Sequence, residues 1–267
     1  MKFQKQDGVP FLRFESFPND GRIRHAIFTR QGGVSPAPYD SLNLSVSVND
    51  DHANVFSNRA KAYSTHGRRN ETLVHAHLKH GAVVAQVSHR NDGEYVGPAD
   101  GIISNEPGCG LTMNYADCSP ILLFDPEHQA IGLGHAGWKG AVVDLPGALM
   151  LAMQEAFGSQ PSAIIAAIGP SIGPCCYQVG EPVLSAVRAS FDEVESLLLP
   201  DNDGDPHQYA RRLFDLPEAN RRRLTAAGVE HIEMAGLCTA CRSDLFFSHR
   251  ADDGRTGRFG ALVILGD

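Results

Sequence analysis

The segment GLTMNYADCSPILLFDPEHQAIGLGHAGWKG, residues 110–140, contains three apolar runs that have the length of β-strands. The runs are GLTMNY (110–115), PILLFD (120–125) and AIGLGHAG (130–137). PILLFD is apolar at successive positions rather than at alternate ones, which is typical of a strand buried on both faces. This segment therefore predicts the centre of a sheet that is covered on both sides.

Similar strand-like runs lie on either side of this segment. They are IRHAIFTR (23–30), TLVHAHL (72–78), AVVAQV (82–87), AIIAAIGP (163–170) and ALVIL (261–265). Helical patterns separate only some of these runs, so strands and helices do not alternate regularly. This order favours an α+β fold, in which mixed β-sheets are covered by helices as a layered sandwich, over a regular doubly wound fold.

Three segments have the pattern of helices. They are DLPGALMLAMQEAFG (144–158), EPVLSAVRASFDEVESLL (181–198) and DLPEANRRRLTAAG (215–228). Asp144 and Asp215 each precede a proline in the first turn and are predicted N-caps, and Glu218 completes a capping box with Asp215. The middle segment has an apolar stripe, formed by Val183, Val187, Phe191 and Val194.

The 267 residues show no internal repeat and no low-complexity tract. The polar stretch PDNDGDPHQYARR (200–212) predicts an exposed loop. The chain that follows this loop is too short to be a comfortable domain. We therefore expect one domain over residues 1–267.

Composition excludes several classes of protein. The formal net charge of −8 disfavours a broad nucleic-acid surface. No apolar run approaches the ~18–20 residues that a bilayer span needs, and the start of the chain lacks the apolar region of a signal peptide. We expect a cytoplasmic protein that binds neither nucleic acid nor membrane, with its 6 cysteines reduced.

The first candidate site lies at the ends of the predicted strands in residues 110–140. Asp117 and Cys118 follow one strand, and His135 stands near the end of another. Upstream, HAHLKHG (75–81) offers three histidines, of which His80 precedes a glycine and is predicted to lie at a turn. A cysteine with two histidines can hold zinc and leave a fourth position open. The same spacing also fits core or loop residues, and both interpretations remain open on spacing alone.

The remaining cysteines have weaker signals. CTAC (238–241) has the spacing of a metal or redox pair, but no second pair of ligands follows it at a usual spacing. We expect packing near the site rather than a second metal. Cys175 and Cys176 are adjacent, and a bond between neighbouring cysteines is strained. We therefore expect these two thiols to be reduced.

Five ordered motifs resemble one known family, and together they cover the chain from about residue 25 to its end. The family is called laccase-domain proteins, multicopper polyphenol oxidases or zinc-dependent purine nucleoside phosphorylases. The motifs are FTRQGGVSPAPYDSLNLSVSVNDD (28–51), ADCSPILL (116–123), GHAGWKG (134–140), IGPSIGPCCYQVG (168–180) and CTACRSDLFFSHRADDGRTGR (238–258).

The resemblance implies that the metal ligands are His80, Cys118 and His135, and so selects His80 among the upstream histidines. Two positions depart from the family pattern. Leu78 stands where the family commonly has Gln, and Gln178 stands where it often has Glu. Neither position is an implied ligand, but both bear on substrate preference.

The resemblance also implies an activity, namely phosphorolysis of adenosine, inosine, guanosine and methylthioadenosine with zinc as cofactor, and deamination of adenosine. Asp117 joins the three ligands as a catalytic candidate, either orienting a ligand or bonding a nearby backbone amide. The expected contacts to nucleoside and phosphate are Arg30, Asn43, Lys139, Gln178 and Arg258.

Two alternatives from other classes are a copper-dependent phenol oxidase and a non-enzymatic accessory factor in peptidoglycan quality control. The chain has one HxH motif, at His75 and His77, and no HCH motif, which favours a single-metal site over a multicopper centre. A monomer and a homodimer are both compatible with the sequence.

Overall fold

The computed structural model describes residues 1–200 and 212–266, so the predicted loop at 200–212 lies almost entirely outside the described residues. The strands are β1 (Lys2–Gln6), β2 (Val9–Arg13), β3 (Ile23–Phe28), β4 (His75–Ala76), β5 (Val84–Gln86), β6 (Tyr95–Val96), β7 (Gly101–Ser104), β8 (Gly110–Tyr115), β9 (Ser119–Asp125), β10 (Ala130–Ala136), β11 (Ile165–Ile168), β12 (Gln178–Val179), β13 (Leu198–Pro200), β14 (Arg212–Phe214), β15 (His231–Met234) and β16 (Phe259–Leu265). The α-helices are α1 (His52–Ser64), α2 (Trp138–Val142), α3 (Leu145–Phe157), α4 (Glu181–Ser190) and α5 (Leu216–Ala226).

Two large sheets carry most of the fold. The first is antiparallel throughout, with the order β1-β2-β3-β16-β8. The second has the order β15-β11-β9-β10-β7-β5 and is mixed, because its two outermost pairs, β15–β11 and β7–β5, are parallel. Two small sheets, β12-β14-β13 and β4-β6, complete the strands of the described residues.

The core lies between the two large sheets. Ile27 and Val263 of the first sheet belong to the same buried cluster as Leu122, Phe124 and Leu133 of the second. These side chains are between 0 and 1% exposed. Because side chains alternate across a strand, the other residues of β9 must face outward, which places apolar side chains on both faces of this strand.

Helices cover the outer faces. Ile121 and Leu123 of β9 pack with Leu149 of α3 and Leu224 of α5. On the outer side of the first sheet, α1 contributes to a cluster around Phe28. The prediction of an α+β fold with mixed sheets covered by helices is therefore confirmed, and so is the two-sided burial predicted from PILLFD.

The predicted caps of two helices are confirmed. The Asp144 carboxylate accepts from the backbone amide of Gly147 at 3.0 Å, and Asp215 accepts from the amide of Glu218 at 3.0 Å. Helix α3 ends at Gly158, whose φ of 76° is left-handed and favours glycine.

The predicted helix over 181–198 is too long. Helix α4 ends at Ser190, and Phe191 is already extended, with φ −130° and ψ 143°. The Phe191 ring lies under the guanidinium of Arg223, 4.1 Å from its centroid. Val194 therefore belongs to a separate 3₁₀ turn instead of extending the apolar stripe.

Helix α1 was not predicted, because its sequence HANVFSNRAKAYS has no apolar stripe. Its buried residues include Asn58 and Arg59, which look like surface residues in the sequence. Both are held by hydrogen bonds to backbone carbonyls, for example from Arg59 Nε to Leu44 at 2.8 Å. None of the helices in residues 1–200 and 212–266 has the length and apolar content of a membrane span.

Candidate metal centre and adjoining cavity

The hairpin of β9 and β10 brings two of the candidate ligands to one edge of the second sheet. His135 pairs with Pro120 in the antiparallel register, and Cys118 immediately precedes β9. Antiparallel neighbours place the end of one strand beside the start of the other. Cys118 and His135 therefore lie at the same edge although 16 residues separate them in the chain.

The third candidate, His80, is held there by Asp100. The backbone amides of Lys79, His80 and Gly81 donate to the Asp100 carboxylate at 3.0, 2.7 and 2.7 Å. The backbone carbonyl of Asp100 accepts from the amide of His135 at 2.8 Å. One buried residue thus fixes two of the candidate ligands. Sequence reasoning missed Asp100, whose only local signal is an acidic residue directly before an apolar strand.

His80 itself has an uncommon backbone conformation, with φ at 60°. The left-handed region is costly for a residue with a Cβ. The three amides that converge on Asp100 maintain this turn, and the imidazole of His80 is thereby turned towards His135. The two rings are 5.1 Å apart between centroids and nearly perpendicular, at 82°.

The ligand atoms of His80, Cys118 and His135 all lie within 4.8 Å of one another. The Nδ1 atom of His135 is buried and makes no hydrogen bond to any described residue. A buried polar atom without a partner is costly, and it fits a site where an ion supplies the missing interaction. Two imidazoles and a thiol form a donor set that suits zinc.

Gly137 makes room for this arrangement. A Cβ at this position would lie 2.7 Å from the Cys118 sulfur, a separation that real Cβ atoms essentially never show. The glycine of GHAGWKG that follows His135 and Ala136 is therefore required by the close approach of Cys118, since its φ of −79° is ordinary.

Burial sets the protonation of His135 and Cys118. Burial, followed by the nearby charge of His80, lowers the pKa of His135 to about 3, so the imidazole is neutral and can donate a lone pair. Burial, followed by the charge of Asp117, raises the pKa of the Cys118 thiol to about 12. Cys118 therefore holds its proton until a cation displaces it.

Asp117 connects three segments around the site. Its carboxylate accepts from the Thr239 hydroxyl at 2.6 Å and from the Arg250 backbone amide at 2.7 Å. Its backbone carbonyl accepts from the amide of Ile172 at 2.9 Å. Of the two roles considered for Asp117, the geometry matches hydrogen bonding to a backbone amide.

A cavity of about 260 Å³ opens beside the three ligand residues. His80 and Cys118 form part of its wall. Trp138 and Lys139, the two residues after Gly137, form another part. The complete lining is His80, Asp117, Cys118, Gly137, Trp138, Lys139, Ile172, Tyr177 and Leu216. The cavity therefore combines two aromatic rings, an exposed lysine and two of the three candidate metal ligands.

The five expected substrate contacts are not gathered in one place. Lys139 lines the cavity, with its ammonium nitrogen 5.6 Å from the ring centroid of Trp138. Arg258 is near enough to Cys118 for its charge to act on the thiol's pKa. The guanidinium of Arg258 donates to the carbonyls of Thr256 and Gly257 at 2.9 and 2.8 Å.

Arg30 lies in a different cavity, beside Asp40 and Ser243. Its guanidinium donates to the backbone carbonyls of Asp40 and Ser243 at 2.8 and 3.0 Å and stacks on the Phe247 ring at 4.6 Å. These contacts use the guanidinium to join two loops, which is a structural role.

Asn43 and Gln178 lie outside the lining of the cavity at His80. Asn43 is fully buried, and its amide nitrogen donates to Asp50 at 2.8 Å while its oxygen accepts from the Arg258 backbone at 2.9 Å. Gln178 belongs to β12, and its backbone carbonyl accepts from the Arg250 guanidinium at 2.8 Å.

CTAC (238–241) has a second pair of cysteines beside it in space, although none follows it in the chain at a usual spacing. Cys175 and Cys176 lie beside Cys238 and Cys241, and the four sulfur atoms are all within 4.8 Å of one another. This second pair lies upstream of CTAC, in a different loop, so no spacing within one segment of the chain indicates it. The four thiols are free.

The family model described as "Multi-copper polyphenol oxidoreductase laccase" matches residues 24–266. A relative from Geobacillus stearothermophilus called "Purine nucleoside phosphorylase YlmD" is 37% identical, covering 97% of this chain and 96% of its own. The Bacillus subtilis protein of the same name is 36% identical over 92% of this chain and 89% of its own. The crystal structure of YlmD from Geobacillus stearothermophilus matches with a TM-score of 0.90 at 34% identity, covering 99% of both chains.

Proposed function

Because the chain belongs to the polyphenol oxidoreductase laccase family, whose similar members are named purine nucleoside phosphorylases, we propose that it is a zinc-dependent purine nucleoside phosphorylase. The substrates are adenosine, inosine, guanosine or methylthioadenosine together with phosphate. The metal ligands are His80, Cys118 and His135. The observation that carries the proposal is the convergence of these three residues, whose ligand atoms lie within 4.8 Å of one another, next to a cavity lined by His80 and Cys118.

The dimensions of the cavity support a small substrate. Its volume of about 260 Å³ is slightly below the roughly 300–1,000 Å³ typical of ligand pockets. Trp138 and Tyr177 offer aromatic faces on which a purine can stack. The exposed ammonium of Lys139 offers a positive charge to phosphate at the same cavity.

In the reaction, a phosphate oxygen bonds to the ribose C1′ while the bond from C1′ to the purine nitrogen breaks. The purine leaves with the bonding electron pair and takes up the proton that the attacking hydrogen phosphate gives up. Lys139 holds the attacking anion, and the aromatic walls hold the base, so that both reactants meet in one orientation. Zinc, when bound, supplies a Lewis acid with an open coordination position. Asp100 keeps His80 in place, and Asp117 keeps the surrounding loops together.

A multicopper oxidase requires several copper ions close together. In the described part of the chain, the groups with metal-ligand geometry are one set of two histidines and a cysteine and one set of four cysteines. Two histidines and a cysteine can also hold one copper ion. The number of such sets therefore disfavours a multicopper oxidase, because one set cannot hold several copper ions.

The test is incubation of the zinc-loaded protein with inosine and phosphate, followed by measurement of hypoxanthine and ribose 1-phosphate. Both products should appear in equal amounts, and omission of phosphate should abolish them. A parallel reaction with adenosine distinguishes phosphorolysis, which yields adenine, from deamination, which yields inosine. Oxygen consumption with a phenol and no product from any nucleoside would refute the proposal.

A further inference from the structure

The four-cysteine cluster, defined as Cys175, Cys176, Cys238 and Cys241, joins two loops that are far apart in the sequence. The sulfur atoms of Cys175 and Cys176 each lie 3.4 Å from the sulfur of Cys241. All four sulfurs lie within 4.8 Å of one another. The cluster is distinct from the three-ligand centre, since it shares no residue with it.

These separations suit one small cation bound by four thiolates. Sulfur atoms at the corners of a tetrahedron, each ~2.3 Å from zinc, are ~3.8 Å apart. The observed 3.4 Å contacts and the 4.8 Å limit lie on either side of that value. Small movements of exposed side chains are therefore enough to complete the tetrahedron, because Cys175 and Cys241 are both at the surface.

The backbone around the cluster is arranged for thiolates. The amide of Gly173 donates to the sulfur of Cys238 at 3.2 Å, and Cys238 and Cys241 are two turn residues apart in a Cys-x-x-Cys pattern. Amide-to-sulfur hydrogen bonds stabilise the negative charge of a ligating thiolate. A Cβ on Gly173 would lie 3.3 Å from the Cys238 Cβ, so the glycine permits this close approach.

We propose that the four-cysteine cluster is a second metal site, a structural zinc centre with four thiolate ligands. Zinc is the metal that four thiolates in tetrahedral geometry favour in a reduced protein. Each thiol releases its proton to solvent on binding, so no oxidant or reductant takes part. This proposal is independent of the proposed function.

The centre supports the wall of the cavity. The loop that carries Cys175 and Cys176 also carries Ile172 and Tyr177, which line the cavity. The loop that carries Cys238 and Cys241 also carries Thr239, which donates to Asp117. The two loops already meet through a bridge between Ser171 and Cys238. A metal at this position clamps both loops together next to the active cavity.

The test is the zinc content of four proteins purified under reducing conditions without added metal, measured by elemental analysis and native mass spectrometry. The wild type should hold two zinc ions per chain, Cys118→Ala one and Cys241→Ser one. The matched control is Cys109→Ala, since Cys109 is a buried core cysteine in neither cluster, and it should hold two. If the three-ligand centre binds no zinc, the wild type holds one ion and Cys241→Ser holds none, which separates the two proposals.

Co²⁺ substitution gives a second readout, because four thiolates produce much stronger charge-transfer and ligand-field absorption than one. Cys118→Ala loaded with Co²⁺ should keep the strong spectrum, and Cys241→Ser should lose it. Retention of all zinc by folded Cys241→Ser would overturn the proposal. A disulfide among the four cysteines in protein that was never exposed to oxidant would overturn it as well.

Thiol modification tests the wild type alone and applies even if Cys241→Ser does not fold. Cys175 and Cys241 are exposed, so a thiol reagent can reach both sulfur atoms when no metal covers them. In the zinc-bound protein they should react slowly, and a chelator should release them. Rapid modification of both residues before any chelator is added would show that the cluster is not a metal centre.

Discussion

Cys118 is the one thiol in the candidate catalytic centre, and as a bound thiolate it contributes negative charge to a site whose other candidate ligands are imidazoles. Cys118→Ala should therefore lose metal from this centre. Because each ~1.4 kcal/mol of lost transition-state stabilisation lowers a rate tenfold, and a metal supplies several kcal/mol, phosphorolysis should fall at least ~10³-fold. The measurement is the initial rate with inosine and phosphate, together with zinc content.

Cys109→Ala is the matched control for this experiment, because it also removes a thiol but lies in the core between the sheets. It should keep a rate within a few-fold of wild type. Circular dichroism must show that both variants are folded before rates are compared. A Cys118→Ala protein with full metal content and rate would show that Cys118 is not a ligand.

Asp100 acts on the centre through other residues and is a positioning residue. Asp100→Asn replaces one of two carboxylate oxygens by an amide nitrogen that cannot accept a hydrogen bond. Because the amides of His80 and Gly81 donate to different oxygens, one of the two loses its acceptor. We expect zinc affinity at this centre to fall roughly 10–100-fold, as when other partners of ligands are removed. Competition with a zinc chelator measures the affinity directly.

The matched control is Asp7→Asn, the same substitution at an exposed turn residue. Its zinc affinity should equal that of wild type. Addition of excess zinc should restore much of the activity of Asp100→Asn, since the ligands themselves are intact. A loss of turnover that saturating zinc leaves unchanged would contradict a positioning role.

Among the elements, helix α3 depends on its N-cap residue, Asp144. Asp144 has a left-handed backbone, with φ 61°, and its carboxylate caps the amide of Gly147. Asp144→Ala loses the cap, at ~0.5–2 kcal/mol, and places a Cβ residue without a compensating hydrogen bond in the left-handed region, at ~1–2 kcal/mol. The free energy of unfolding, measured in urea, should fall by about 2 kcal/mol.

Asp144→Asn separates the cap from the charge, because asparagine accepts the same hydrogen bond and tolerates positive φ. The free energy of unfolding of this variant should lie within ~0.5 kcal/mol of the wild-type value. An equal loss in both variants would attribute the effect to the ion pair with Arg223, whose nitrogen lies 3.8 Å from the carboxylate.

The described part of the molecule contains buried histidines outside both candidate metal centres. Burial, followed by the charges of nearby arginines, lowers the pKa of His25 and His75 to about 3 and that of His66 to about 4. Their usual value is 6.5. Between the lowered pKa values and pH 6.5, these histidines bind protons in the unfolded chain but not in the folded protein. Stability should be full above about pH 6.5 and should fall as the pH drops towards 3.

The free energy of unfolding should fall by up to ~1.4 kcal/mol per pH unit for each histidine. His75→Phe keeps a ring against Tyr95, 4.6 Å away between centroids, but removes the titrating group. Urea unfolding at pH 7, 6 and 5 should show a shallower decline for this variant. His52→Phe changes an exposed histidine at the start of α1 and should decline as wild type does. Parallel curves for His75→Phe and wild type would contradict the prediction.

The sequence by itself determined the features that depend on neighbouring residues. Continuous apolar runs indicated β9 and β10 because a strand buried on both faces needs apolar side chains at every position. Asp144 and Asp215 indicated the starts of α3 and α5 because a cap bonds to an amide three residues away. Helix α1 could not be predicted from neighbouring residues, because its buried Asn58 and Arg59 find their partners at Asn43 and Leu44, outside the helix.

Only the tertiary structure decided which distant residues meet. Asp100 belongs to the centre because it accepts hydrogen bonds from amides about 20 residues upstream. Arg30 instead lines another cavity, where its guanidinium donates to the carbonyl of Ser243. The four-cysteine cluster forms because residues 171 and 238 bridge two loops that follow the parallel pair β11 and β15. Contacts of this kind depend on how sheets and loops close in space, and that closure is set by the packing of the whole core rather than by any local pattern.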